Sequence, residues 1–368
     1  MKKRNRNILI LFIPLIIIMF ISFFNMQNAH LLSTLYNNTL KKQIIWYIIG
    51  FSLLFIIKKL NFKKILKYTF WYYLLSVLLL LLVLFFGKTT NGAKAWFNFG
   101  FFSFQPSELT KITLTLFLAE IINKAKLQTI LDELKLIIKV LLVTIIPSIL
   151  VFLEPDTGAI LFFLIIALSS LFVSGIKKWW FLLLAFLIIL VLGTFIIIYI
   201  YNSDFLINII GTSFFYRVER LITFQTESSY QLENALIVIG SASLFGTGLN
   251  KISLYIPEAP TDFIFAFNIG NFGIITGFIV LLCYFLIDLF LINEYAKVTD
   301  KKIKLFLISF ISIFFFQQVV NIGMNLGLVP IIGIPLPFLS YGGSTIIIYF
   351  LFLGIILNYQ KNSNPSII

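Results

Sequence analysis

The sequence predicts an all-α polytopic membrane protein of about ten transmembrane helices, and three observations predict it. Of 368 residues, 60% are hydrophobic and only 12% are charged, a mean hydropathy of +1.02. That balance leaves too little polar surface to cover soluble domains. The apolar residues fall in runs long enough to cross a bilayer, which takes ~20 residues per helix. The basic residues, finally, segregate by side of the chain's predicted path.

The first run, Ile8 to Phe24, follows a basic start but lacks a small-residue cleavage site and is long for a signal segment, so it reads as an uncleaved span. Further spans are expected over 43–57, 70–86, 108–123, 138–154, 158–175, 179–201, 263–287, 305–325 and 344–358, with Trp46, Trp71, Trp179 and Trp180 near their ends as interface anchors. On this path twenty of the 28 basic residues gather on one side. Only Lys41, Lys42, Lys88, Lys94, Arg217, Arg220 and Lys251 lie on the other, and Lys111 is left inside a span. The positive-inside rule then makes both termini cytoplasmic in a multi-pass membrane protein. The net charge of +13 is topological, attracts anionic membrane lipid, and calls for no nucleic acid. One cysteine (Cys283) and one histidine (His30) supply neither a disulfide nor a zinc ligand set.

The Lys124 to Lys139 connection carries Leu127, Ile130, Leu131 and Leu134 at helical spacing and is expected to lie on the membrane surface. With no internal repeat and no soluble segment, residues 1–368 read as one integral membrane domain with a large outer loop over about 202–262. Segments 87–107, 202–262 and 326–343 hold the Gly, Pro, acidic residues and Arg that neither helices nor anchors explain. Irregular polar backbone at a membrane persists only where protein covers it or a cavity needs it, so function is expected on the outer face.

Four groups of residues there could carry chemistry. Asp262 follows Pro257 and Pro260 and directly precedes an apolar run, which makes it either a helix N-cap or a cavity carboxylate kept ionised by the helix terminus and able to accept a proton. Glu108 and Lys111 lie three apart behind Pro106, either as a buried ion pair fixing helix register or, with Lys94, as substrate contacts. Arg217 and Arg220 sit on an amphipathic piece, Phe214 to Phe224. They suit bidentate binding of phosphate, or equally pairing with Glu219 or a lipid headgroup. From Asn321 to Ser344 three prolines and several glycines break an apolar stretch and predict a re-entrant turn. Ser340, Gly342, Gly343 and Ser344 would open the last helix, either as an anion site or as structure alone.

Taken in order, Gly92-Ala-Lys-Ala-Trp, Gln105-Pro-Ser-Glu-Leu-Thr-Lys, Pro155-Asp-Thr-Gly, Tyr230-Gln with Ile239-Gly-Ser and Gly246-Thr-Gly, Pro257-Glu-Ala-Pro-Thr-Asp-Phe-Ile-Phe-Ala and Asn321 to Ser344 resemble the shape, elongation, division and sporulation (SEDS) family. RodA-like motifs match somewhat better than FtsW-like ones. The resemblance spans nearly the whole chain and implies a ten-helix peptidoglycan glycosyltransferase. Its substrate would be lipid II, the undecaprenyl-linked disaccharide-peptide precursor, polymerised on the outer membrane face for cell-wall elongation and shape, or for division. It further implies Asp262 as the catalytic aspartate and a class B penicillin-binding protein transpeptidase as partner. Ala95, Gly270 with Asn271, and Asn234-Ala235 depart from the family pattern. An α-linked donor and a β-1,4 product call for one inverting displacement, with Asp262 as base and Arg217, Arg220, Lys94 and Lys111 as candidate anion partners. A divalent cation, magnesium or manganese, could assist the leaving group, although the sequence shows no ligand set for one; no organic cofactor is expected. A lipid II flippase or transporter, and a non-catalytic scaffold for a penicillin-binding protein, remain alternatives at this stage.

Overall fold

The computed structural model describes residues 2–90, 93–100, 102–201, 205, 207–208, 211–212, 215, 230–251 and 254–362. Its helices are α1 (Lys2–Ala29), α2 (Thr39–Lys59), α3 (Phe62–Lys67), α4 (Thr69–Phe86), α5 (Pro106–Lys124) and α6 (Ile130–Leu153), followed by α7 (Thr157–Ser174) and α8 (Trp179–Tyr201). The chain closes with α9 (Tyr230–Ser241), α10 (Ile264–Lys297), α11 (Lys301–Asn325) and α12 (Gly343–Asn362). Among the described residues nine of these are long and apolar enough to cross a membrane. The tenth expected span is α5, which carries Glu108, Lys111, Glu120 and Lys124. It tolerates them because it is the central helix, packed against α4, α6, α7, α11 and α12 with 14 of its 19 residues buried. A helix shielded from lipid needs no apolar surface of its own. Around it α12 lies along α2, α1 along α10, and α11 along α7.

Two expectations require correction. Residues Lys124 to Lys139 do not form a separate surface helix: α6 starts at Ile130 and runs straight into the span. The start is set by a capping box in which Thr129 accepts from the Asp132 amide and the Asp132 carboxylate accepts from the Thr129 amide. Segment 87–107 is not irregular throughout either. Strands β1 (Lys88–Thr90), β2 (Ala93–Asn98) and β3 (Ser103–Phe104) make a small antiparallel sheet with β2 in the middle, pairing Lys88 with Trp96 and Phe97 with Phe104.

The re-entrant segment before α12 is present as expected, and every carbonyl from Ile334 to Ser340 has a donor. Asn321 donates to Ile334 O (2.7 Å), Gln317 to Pro335 O, and the Ser340 amide to Leu336 O (3.0 Å). The hydroxyls of Tyr284, Tyr47 and Ser22 donate to the carbonyls of Pro337, Phe338 and Leu339, and Gln43 donates to Ser340 O (3.0 Å). Non-helical backbone can lie at membrane depth only under such full satisfaction.

Helix α10 is broken at Gly273, whose φ of 84° and ψ of 173° belong to a region that only glycine adopts readily. The loop after α9 threads into the break. The Ser243 and Leu244 carbonyls accept from the Ile274 and Ile275 amides, and the Gly248 amide donates to Asn271 O at 2.7 Å. A side chain at Gly273 would collide with the Leu244 carbonyl. We expect Gly273→Ala to destabilise by about 1–3 kcal/mol from backbone strain alone, more with the clash. Gly240→Ala, on α9 with nothing within 4 Å of the added methyl, should be neutral or mildly stabilising. Thermal melting of the two variants in detergent checks the contrast.

Candidate active site

The loop before α10 is a run of turns from Pro257 to Phe263, and its carbonyls are held one after another by distant parts of the chain. The Tyr341 amide donates to Pro260 O (2.8 Å), Ser340 Oγ to Thr261 O (2.6 Å), and both Asn321 Nδ2 (2.8 Å) and Asn325 Nδ2 (3.0 Å) to Asp262 O. Asp262 is not the N-cap of α10. That position is Phe263, which makes no side-chain cap bond, and the free helix amide of Ala266 is taken by Asn325 Oδ1 at 2.9 Å. The Asp262 side chain is thereby released from a structural duty, and it lines a cavity of about 640 Å³.

That cavity lies where the sheet, the α6–α7 turn, the Asp262 loop and the re-entrant segment meet, so each wall comes from a different stretch of sequence. Glu108, Asp156, Glu258 and Asp262 put four carboxylates on it. They differ in state. Glu108 Oε1 pairs with Lys111 Nζ at 2.8 Å, while its Oε2 has no hydrogen-bond partner among the described residues. Asp156 caps α7, with Oδ1 accepting from the Ala159 amide (3.2 Å) and Oδ2 from Gln105 Nε2 (2.8 Å). Burial raises its carboxyl above the usual range, against the pull of these bonds. Glu258 Oε2 accepts from Thr261 Oγ1 at 3.0 Å. The Asp262 carboxylate accepts no hydrogen bond among the described residues. Burial, and then the charge of Glu258, push its pKa up to about 7. This corrects the expectation that the helix terminus keeps it ionised: with Asn325 at that terminus, desolvation wins. Beside the cavity, Glu154 is fully buried with both oxygens unpartnered among the described residues. Burial and then Asp156 raise its pKa to about 8.

Of the other residues singled out in the sequence, Gly342 and Gly343 line the cavity. Gly343 is required there, because a Cβ would lie 2.6 Å from the Trp46 indole. Lys111 does not reach the cavity; its ammonium is buried against Glu108 and sits 4.3 Å from the centre of the Phe162 ring. Lys94 Nζ turns away to donate to Phe85 O at 3.1 Å. The hydroxyls of Ser340 and Ser344 are spent on backbone, the latter donating to Ser103 O and accepting from the Gln105 amide. Arg217, Arg220 and the Phe214 to Phe224 piece fall outside the described residues. Ala95 lines the cavity, whereas Gly270 and Asn271 lie at the α10 break, binding the loop after α9. The sequence reading passed over Asp156, Lys42 and Lys88 as cavity residues. For Asp156 the signal was present: a carboxylate in a tight turn between two spans, of the kind that marks intramembrane function. Among the described residues no group of three His, Cys, Asp or Glu side chains could hold a metal ion.

Fold and site together define a multi-pass membrane protein with a carboxylate-walled cavity at one end of its bundle. The chain belongs to the FtsW/RodA/SpoVE family of cell cycle proteins, whose profile matches residues 5–365. It is 35% identical to the probable peptidoglycan glycosyltransferase FtsW of Coxiella burnetii, over 74% of this chain and 72% of that protein. It is 29% identical to the peptidoglycan glycosyltransferase MrdB of Helicobacter pylori, over 96% and 91%. In three dimensions it resembles a chain from a peptidoglycan synthase complex that coordinates polymerization and crosslinking (26% identity, 96% and 97% covered, TM-score 0.79). It also resembles the rod shape determining protein RodA of Thermus thermophilus (26% identity, 96% of each chain covered, TM-score 0.67).

Asn325 joins the Asp262 loop to the start of α10, so its removal tests what holding that loop contributes. In Asn325→Ala the Ala266 amide is left unpaired, at a cost of about 1–3 kcal/mol. With Asp262 less firmly held, kcat should fall more than KM rises. Melting temperature and steady-state kinetics on the same preparation check both parts.

Proposed function

We propose that this chain is a peptidoglycan glycosyltransferase that polymerises lipid II, with Asp262 as the general base. One observation supports the reading above others: a carboxylate without a hydrogen bond among the described residues, on a backbone clamped by four donors, facing a cavity large enough for a sugar. The proposed reaction is a single displacement. Asp262 takes the proton of the acceptor 4-hydroxyl, the new bond forms from that oxygen to C1 of the donor, and the C1–O bond to the diphosphate breaks with inversion. A base with a pKa near 7 is well matched to this task, because it is partly ionised at neutral pH yet strong enough to accept a proton. Glu258 is engaged with Thr261 and serves to raise Asp262. The resemblance to a chain of a synthase complex supports a class B penicillin-binding protein as partner, since this chain has no described segment outside the bundle that could cross-link peptides.

The pH dependence follows from the direction of the shift. The folded pKa of about 7 lies above the ordinary value of 3.8, so the folded state holds the extra proton between pH 4 and 7 and loses stability as pH rises through that window. Asp262→Asn carries no charge to bury. We expect it to melt at or above the wild-type temperature at pH 8, to bind its partner, and to make no glycan chains from lipid II. Wild-type kcat/KM should rise through pH 7 and level off. Substantial polymerisation by the Asn variant, or translocation of lipid II without polymer by the wild type, would overturn the reading. Ten crossings with the basic residues sorted by side support cytoplasmic termini, and a reporter fused after Ile368 should be active only inside the cell.

A further inference from the structure

Two cavity residues have no part in the mechanism above. Lys42 and Lys88 are the basic residues on the cavity wall among those described, and neither ammonium makes a hydrogen bond or ion pair there. They come from separate elements, each with a tryptophan beside it. On α2, Lys42 and Trp46 are four apart and both line the cavity; on the sheet, Lys88 pairs across strands with Trp96, which also lines it. The remaining charge on the wall is negative: Asp156, Glu258 and Asp262, with Glu108 balanced by Lys111. A doubly charged phosphate ligand is repelled by the carboxylates, and among the described wall residues it finds counter-charge at Lys42 and Lys88.

We propose that Lys42 and Lys88 form the diphosphate subsite of this cavity, binding the headgroup of a polyprenyl-diphosphate-linked substrate and holding it away from Asp262. This rests on the glycosyltransferase reading for its ligand, and on the placement of the two lysines for its location. Lysine suits the role because an ammonium is a compact point charge for phosphate oxygens that need not be read bidentately. In this proposal the two lysines take the leaving group and Asp262 takes the attacking hydroxyl, so the two charges of the reaction fall to different residues of one cavity.

The test is binding, so that it does not depend on turnover. The full chain in nanodiscs is titrated with undecaprenyl diphosphate, and inorganic pyrophosphate is used as competitor to separate headgroup from lipid recognition. Lys42→Gln and Lys88→Gln should each weaken binding roughly tenfold, as expected for one charge-assisted contact. Lys42→Arg and Lys88→Arg should retain affinity, and Lys41→Gln, an exposed neighbour off the cavity, should match wild type. Displacement by inorganic pyrophosphate supports a headgroup site. Wild-type affinity in both Gln variants, or an equal loss in Lys41→Gln, overturns the proposal. Lysine-dependent binding without glycan product would instead remove the polymerase reading and leave the subsite standing.

Discussion

The structure depends on satisfying the backbone of one non-helical segment inside a helical bundle. Between Ile334 and Ser340 no carbonyl can be left bare, because an unpaired peptide group away from water costs several kcal/mol. The donors come from α1 (Ser22), α2 (Gln43, Tyr47), α10 (Tyr284) and α11 (Gln317, Asn321). One short segment thus gathers four helices. The same residues then reach beyond it: Ser340 and Asn321, each already bonded within the segment, also hold Thr261 O and Asp262 O. The loop carrying Asp262 is in this way fixed by the requirement that the re-entrant turn be hydrogen-bonded.

Such clamping separates the backbone of Asp262 from its side chain. The carbonyl takes part in a network that cannot slip without unpairing several groups, while the carboxylate is left unbonded in a desolvated site among the described residues. Left alone, a loop would relax to hydrogen-bond its own carboxylate, as Thr261 does for Glu258. Here the scaffold prevents it, and the result is a group whose pKa burial lifts to about 7. Cavity charge is likewise graded by surroundings. Glu108 is balanced by Lys111, Asp156 is partly satisfied by Gln105 and the α7 amides, and Asp262 is the least supported of the three.

Much of this was legible in the sequence, and the limits have a physical cause. The spans, the re-entrant turn and the placement of Asp262 at a helix entrance follow from apolar run length and proline spacing, both of which are local. Partners distant in sequence were not legible. Asn325 caps α10 across 59 residues, and the Gln105 amide is bonded by Ser344 across 239. From the sequence alone, cap and cavity carboxylate therefore stand as alternatives for Asp262, because the residue that decides between them is remote in the chain. The small sheet had a local signal, the Asn91-Gly92 dipeptide between two β-prone runs, but the 87–107 stretch is too short and polar for periodicity to show it. Helix α6 reaches back to Ile130 because its capping box stands at Thr129, whereas Leu127, Ile130, Leu131 and Leu134 at helical spacing suggested a segment on the membrane surface.

The position of α5 completes the argument about charge. A helix with Glu108 and Lys111 facing each other in the centre of a bundle gains little net stability from the pair, because desolvating both groups offsets their attraction. Its presence is better understood through what it does to the cavity. Unpaired, Glu108 would add an unbalanced fourth carboxylate to a wall already carrying Asp156, Glu258 and Asp262, and its repulsion would act on Asp156 without the opposing pull of Lys111. Paired with a lysine buried behind it, its charge is offset in part: at Asp156 the Glu108 carboxylate raises the pKa while the Lys111 ammonium lowers it. The ammonium itself is kept from the cavity by the Phe162 and Tyr349 rings, so it cannot compete for an anionic ligand. Charge that is needed for chemistry is left exposed to the cavity, and charge that is needed only for balance is buried one layer behind.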